Sequence, residues 1–131
     1  MYDATPLQII AHGFVPTPTG TGVVAGAVTE GVLTVTRTAP GITLIVLDTG
    51  VPGGGTVALP DDLRVSITPQ TPQGVPPFPV SADAEAINTA PPPTGTGATS
   101  VVVRTWNLVT DVNVDNGYWF IISRPAQSET T

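Results

Sequence analysis

The run VLTVTRTAPGITLIVL, Val32 to Leu47, decides how the chain is read. Its first half alternates with a period of two: Leu33, Val35 and Arg37 fall on one face, Val32, Thr34 and Thr36 on the other. That is the period of a strand. Its second half, Ile42 to Leu47, is almost wholly apolar, as expected of a central strand covered on both faces. Between the halves stands Thr38-Ala39-Pro40-Gly41. Proline presets φ for a tight turn and glycine accepts a positive φ, so the run predicts a β-hairpin.

The same grammar continues outward. Leu7–Phe14 and Gly22–Val28 read as strands before the hairpin. After it come Gly55–Leu59, Leu63–Thr68, Ser100–Asn107 and Gly117–Arg124. Leu63, Val65 and Ile67 are expected inward, Arg64, Ser66 and Thr68 outward. Asp48-Thr49-Gly50, Pro60-Asp61-Asp62 and Asp115-Asn116-Gly117 supply turns. Ser81–Asn88 alone has helical propensity, for one or two turns or an irregular strand. The expectation is an all-β protein: a single β-sandwich or jelly-roll-like domain of seven or eight antiparallel strands. Residues 1–22 form an N-terminal strand and extended arm. Residues 23–124 form the sandwich, with proline-rich insertions at 69–79 and 90–99, and 125–131 a flexible tail. The pentapeptide Pro-Thr-Gly-Thr-Gly occurs at 18–22 and at 93–97, and reads as two similar loops.

Composition agrees. The 131 residues include 15 prolines, 14 glycines and 21 threonines, which disfavour long helices. A hydrophobic content of 40% still supports a packed core. Ten acidic residues oppose four basic ones, all arginine, for a net charge of −6. Without clustered Lys and Arg, neither nucleic acid nor an anionic membrane is an expected partner. The lack of cysteine removes disulfides, thiolate catalysis and Cys-type zinc sites. It implies assembly inside a cell or stabilisation by partners. Met1-Tyr2-Asp3 offers no positive n-region, and no apolar run reaches membrane-helix length.

The chemistry-bearing residues stand apart from one another. His12, the only histidine, lacks an adjacent nucleophile and carboxylate and reads as structural or as a surface residue. Asp111, Asn113 and Asp115 offer oxygen donors without EF-hand spacing, and Asp61 and Asp62 read as solvated turn residues. The loop Val51–Thr56 matches neither a Walker loop nor a dinucleotide fingerprint. No serine sits in a nucleophile elbow. Arg37, Arg64, Arg104 and Arg124 each lie in or at the end of a strand. They are expected to pair with acids across strands, or one or two of them to face a partner.

Two spans carry a resemblance. Gly31 to Val51 contains Thr36-Arg37 leading through Gly41 to a strand that closes in Leu47-Asp48-Thr49-Gly50-Val51. Val101-Val102-Val103-Arg104-Thr105-Trp106-Asn107 is followed, after Asp115, by Tyr118-Trp119-Phe120-Ile121-Ile122-Ser123-Arg124. These patterns resemble those of small β-rich structural proteins of tailed bacteriophages, over roughly residues 30–124; the proline-rich insertions are departures from them. The resemblance implies a virion component without enzymatic activity. Expected is a capsid decoration (cement) protein on the capsid surface, assembled in the host cytoplasm. Its partners would be the major capsid protein and copies of itself, as a homodimer or homotrimer, with no cofactor and no metal. The alternative is a tail- or fibre-associated module, or one that binds a receptor or carbohydrate. Trp106, Tyr118 and Trp119 would then meet sugar, although their strand positions favour packing.

Contact with partners is expected in the segments Val15–Val23, Gln70–Phe78 and Pro91–Thr99, because proline-restricted segments lose little entropy on docking. The residues singled out are Val15, Pro16, Pro18, Pro72, Val75, Pro76, Pro77, Phe78, Pro92 and Pro93. Phe78, an aromatic isolated among prolines, is the strongest single anchor.

Overall fold

A computed structural model describes residues 7–48, 63–71, 79–88 and 99–125. They form nine strands: β1 (Leu7–Val15), β2 (Gly22–Val23), β3 (Val28–Glu30), β4 (Val32–Ala39), β5 (Ile42–Leu47), β6 (Arg64–Pro69), β7 (Val80–Asn88), β8 (Thr99–Asn107) and β9 (Tyr118–Pro125). All pairings among these strands are antiparallel. One sheet has the order β3-β1-β9-β6 and the other β2-β4-β5-β8-β7. The two pack as a sandwich.

The hairpin of β4 and β5 forms as its sequence dictates, with Ala39 opposite Ile42 and Gly41 at φ 72°. Ser81–Asn88 is wholly within a strand, β7, paired with β8 from Val80 opposite Asn107 to Asn88 opposite Thr99. Nine cross-strand pairs outweigh the weak local propensity of an eight-residue run. Gly22–Val28 is divided into β2 and β3, in different sheets, with Gly26 at φ 81° between them. The Gly55–Leu59 strand expectation and the 125–131 tail lie outside the described residues, except for Pro125.

Two face assignments are corrected. Leu33 does not share the inner face with Val35. The pairing shifts between Val32 and Thr34, so Val32 packs on the core and Leu33 is exposed. A bulge inverts the alternation for every residue before it. Strand β5 is central in its sheet, but only its inner face is buried: Thr43, Ile45 and Leu47. Ile42, Leu44 and Val46 are half-exposed, because among the described residues no third layer covers the outer face of this sheet.

The core comprises Ile10, Ala11, Val15, Val24, Val35, Ile45, Leu47, Val101, Val103, Tyr118, Phe120 and Ile122. A second register shift, between Ile9 and Ala11, lets the successive residues Ile10 and Ala11 both enter it. Leu63, just before β6, and Val65 and Ile67 within it pack against the core, as alternation predicted. Two buried hydroxyls join the sheets, since Tyr118 Oη of β9 lies 2.6 Å from Thr43 Oγ1 of β5.

Burial raises the Tyr118 phenol to about 12, and the Thr43 hydrogen bond only partly offsets the rise. An unfolded tyrosine loses its proton near pH 10. The folded state therefore keeps a proton that the unfolded state has lost. Stability from this group is complete below pH ~10 and drains away as pH rises toward 12, by up to about 3 kcal/mol. Denaturant midpoints measured across this interval should fall in the wild type and fall less in Tyr118→Phe. Equal slopes in the two proteins would remove Tyr118 as the cause.

Candidate functional site

Antiparallel register places the C-terminal ends of β1, β6 and β8 and the N-terminal ends of β7 and β9 at one end of the sandwich. The β4–β5 turn lies there too, because Ile42 pairs with Arg104 near the end of β8. Here the chain leaves β8 at Asn107 and makes a compact loop, Leu108–Val112. The Asn107 side chain builds it: Oδ1 accepts the amides of Val109 (2.9 Å) and Thr110 (3.2 Å). The Asn107 carbonyl accepts the Asp111 amide at 2.8 Å, and the Asn107 amide donates to Val112 O at 2.8 Å. Asp111 takes φ 59°, a left-handed position that Asp tolerates better than most residues. Outside, the Leu108 amide donates to Pro79 O at 2.9 Å.

The return strand is clamped at several points. Arg104 donates from Nε to Asn113 Oδ1 at 2.5 Å, approaches Asp111 at 3.5 Å and stacks 4.5 Å above the Trp106 ring. Thr105 Oγ1 donates to Val114 O at 2.6 Å. Arg37 grips Asp115 with both prongs, Nε to Oδ1 and Nη2 to Oδ2, each 2.9 Å. The Gly41 amide donates to the same carboxylate at 2.8 Å. Burial alone would push the Asp115 carboxyl up; the Arg37 hydrogen bond, the Gly41 amide and the Arg37 charge together hold it below its ordinary value. Asn116 Nδ2 donates to Gln70 O at 2.8 Å, and the Gly117 amide to Thr17 Oγ1 at 3.0 Å.

The result is a rigid end with an apolar tip. Leu108, Val109 and Val112 are 59%, 77% and 59% exposed. A loop whose backbone and side-chain hydrogen bonds are this fully made loses little entropy when a partner covers it. Asp111, Asn113 and Asp115 are held by arginines, and among the described residues no three His, Asp or Glu side chains come together as a metal-holding group.

Two of the three expected contact segments start from this end: the one that follows β1 and the one that links β6 to β7. The third, 91–99, links β7 to β8 at the opposite end. Val15 is corrected from contact to core: it closes β1 opposite Tyr118 and is wholly buried. Pro18 is buried as well, while Pro16 is half-exposed. Pro72, Val75, Pro76, Pro77, Phe78, Pro92 and Pro93 lie outside the described residues.

Arg37 and Arg104 pair within the fold, but with Asp115 and Asp111 of the β8–β9 connection rather than with acids on neighbouring strands. Arg64 is exposed, and Arg124 is buried. Of the aromatic candidates, Tyr118 is core, Trp106 lies half-buried under Arg104, and Trp119 is half-exposed beside Phe14.

Sequence reasoning missed the Leu108–Val112 tip, because the prolines drew attention to the arms. The available signal was three large aliphatic residues in a stretch without strand alternation, directly after an asparagine able to cap a turn. No family model, no curated protein and no solved structure matches the chain.

Proposed function

We propose that the chain is a non-enzymatic virion structural protein, a capsid decoration protein that binds and staples neighbouring major capsid proteins through this end of the sandwich. The observation that carries the reading is the rigid presentation of Leu108, Val109 and Val112. Preformed apolar tips suit pockets on a protein partner, and they bind with little ordering cost. The virion setting rests on the resemblance of residues 31–51 and 101–124 to small phage structural proteins. The acidic, lysine-free composition supports it, since such a surface is not drawn onto packaged DNA.

Capsids assembled without the protein should lose resistance to heat and low salt, and adding it back should restore that resistance. Quantitative mass spectrometry should find copies in the hundreds per particle. Val109→Asp should abolish binding to bare capsids while leaving the circular dichroism spectrum unchanged. Equal resistance with and without the protein sinks the proposal, and a copy number of a few per particle moves it to the tail.

A further inference from the structure

The turn into β9 joins an asparagine and a glycine that the fold requires for separate reasons. Asn116 is 7% exposed, and its Nδ2 gives its protons to two carbonyls, Gln70 O and Gly117 O, each at 2.8 Å. Gly117 is buried too. Its amide donates to Thr17 Oγ1 at 3.0 Å, and its carbonyl also accepts the Gln70 amide at 2.8 Å. No side chain fits at 117: an added Cβ would stand 2.5 Å from Gln70 Oε1, 3.0 Å from Val15 O and 3.1 Å from Thr17 N. This one turn therefore ties down the chain as it leaves β1, at Thr17, and as it leaves β6, at Gln70.

The same pair of residues is chemically labile. A backbone nitrogen can attack the carboxamide carbon of the asparagine before it, closing a succinimide ring. A side chain on the attacking residue hinders the approach, and glycine has none. In Asn107-Leu108 and Asn113-Val114 a branched side chain shields the nitrogen. At Asn116-Gly117 the nitrogen of Gly117 bonds to Asn116 Cγ, the Cγ–Nδ2 bond breaks, and ammonia leaves with the proton from the Gly117 amide. One water then opens the ring. Opening at Cγ leaves aspartate; opening at the main-chain carbonyl leaves isoaspartate. Either product carries one more negative charge.

The closed turn restrains both reacting groups. Thr17 Oγ1 holds the proton of the attacking nitrogen, and two carbonyls hold the leaving amide. The attack therefore requires the turn to open. Its product cannot rebuild the turn, because an ionised carboxylate has no proton for Gln70 O or Gly117 O and is repelled by both. We propose that Asn116-Gly117 is a self-modifying latch: release of Thr17 and Gln70 exposes it to deamidation, and deamidation prevents it from closing again. The inference does not depend on the capsid role, since neither a partner nor a capsid enters it.

Peptide mapping by mass spectrometry, on the full chain held in mildly alkaline buffer, follows each asparagine. In urea, Asn116 should lose its amide well ahead of Asn107 and Asn113. Folding should slow that loss at least about tenfold, because opening breaks several hydrogen bonds. Thr17→Val, at an exposed position, should speed it in the folded protein about fivefold, as removal of one hydrogen bond does. Asn116→Asp should quicken hydrogen exchange at the Gln70 and Gly117 amides at least about tenfold and leave Ile122 in the core unchanged. If that variant does not fold, native protein aged in buffer and separated by anion exchange gives the same reading. An unfolded chain with no preference for Asn116, or a folded chain as fast as the unfolded one, overturns the proposal. So does a Thr17→Val rate equal to that of the wild type, or slow exchange at Gln70 and Gly117 once Asn116 is converted.

Discussion

Phe120→Ala is expected to destabilise the fold by about 4 kcal/mol, which urea unfolding would read as a large fall in midpoint. The ring is 1% exposed at the third residue of β9, an interior strand of its sheet. It is opposite Ile67 on one side and Gly13 on the other, and lies 6.4 Å from the Tyr118 ring. Truncation removes the transfer free energy of an aromatic ring and leaves a void. Gly13 has no side chain to move into that void, and its backbone is already crowded against β3, where an added Cβ would meet the Val28 carbonyl. Little collapse is available, so the cost should not fall at the low end of the range for such substitutions. Domains of this size are held by only about 5–15 kcal/mol, so the variant should be marginal at physiological temperature. The adjacent Trp119→Ala is the internal control. Its side chain is on the outer face, so monomer stability should change by less than about 1 kcal/mol. A Phe120→Ala loss below about 1 kcal/mol would show that the core is not packed around β9.

The contrast between these neighbours indicates what a sequence can reveal. Alternation states that Tyr118, Phe120 and Ile122 share one face and Trp119 and Ile121 the other. It does not state which face is inside, since both are apolar and large. The decision is tertiary: Tyr118 finds the Thr43 hydroxyl on the facing sheet, and Trp119 is left half-exposed. The β4–β5 hairpin was legible because Pro40-Gly41 fixes its turn locally. The bulge at Leu33 was not, because nothing in Val32-Leu33-Thr34 differs from regular alternation. In the candidate docking end, the arginine pairs were legible as a type of contact, but their partners were not. Arg37 and Asp115 are 78 residues apart, a separation that the topology closes and local sequence cannot. The Leu108–Val112 tip is recognisable only once Asn107 is seen to hold the loop shut.

The same end of the molecule carries the second large effect. Gly41→Ala should cost about 3 kcal/mol or more, although it adds a single methyl group. At φ 72° an alanine is strained by roughly 1–2 kcal/mol before any contact is considered. Its Cβ would then stand 2.5 Å from Thr105 O, 2.8 Å from Asn113 Cβ and 2.9 Å from Val114 N. Two of these atoms are backbone and already committed, since the Val114 amide donates to Thr105 O at 3.1 Å. The hairpin must therefore withdraw from β8 and from the 113–115 segment. Withdrawal stretches the bond from the Thr105 amide to Gly41 O, 2.8 Å long, and that from the Gly41 amide to Asp115. Asp115 then holds Arg37 alone, and the footing of the apolar tip loosens. Hydrogen exchange should accordingly quicken at Thr105 and Val114 more than at Ile122 in the core. Pro40→Ala, one residue earlier and exposed, should cost less than about 1 kcal/mol, because it only widens the unfolded ensemble. If Gly41→Ala is as mild as Pro40→Ala, the close approach of the hairpin to the 113–115 segment is not what holds this end rigid. The rigidity of the Leu108–Val112 tip would then rest on the loop's own Asn107 turn.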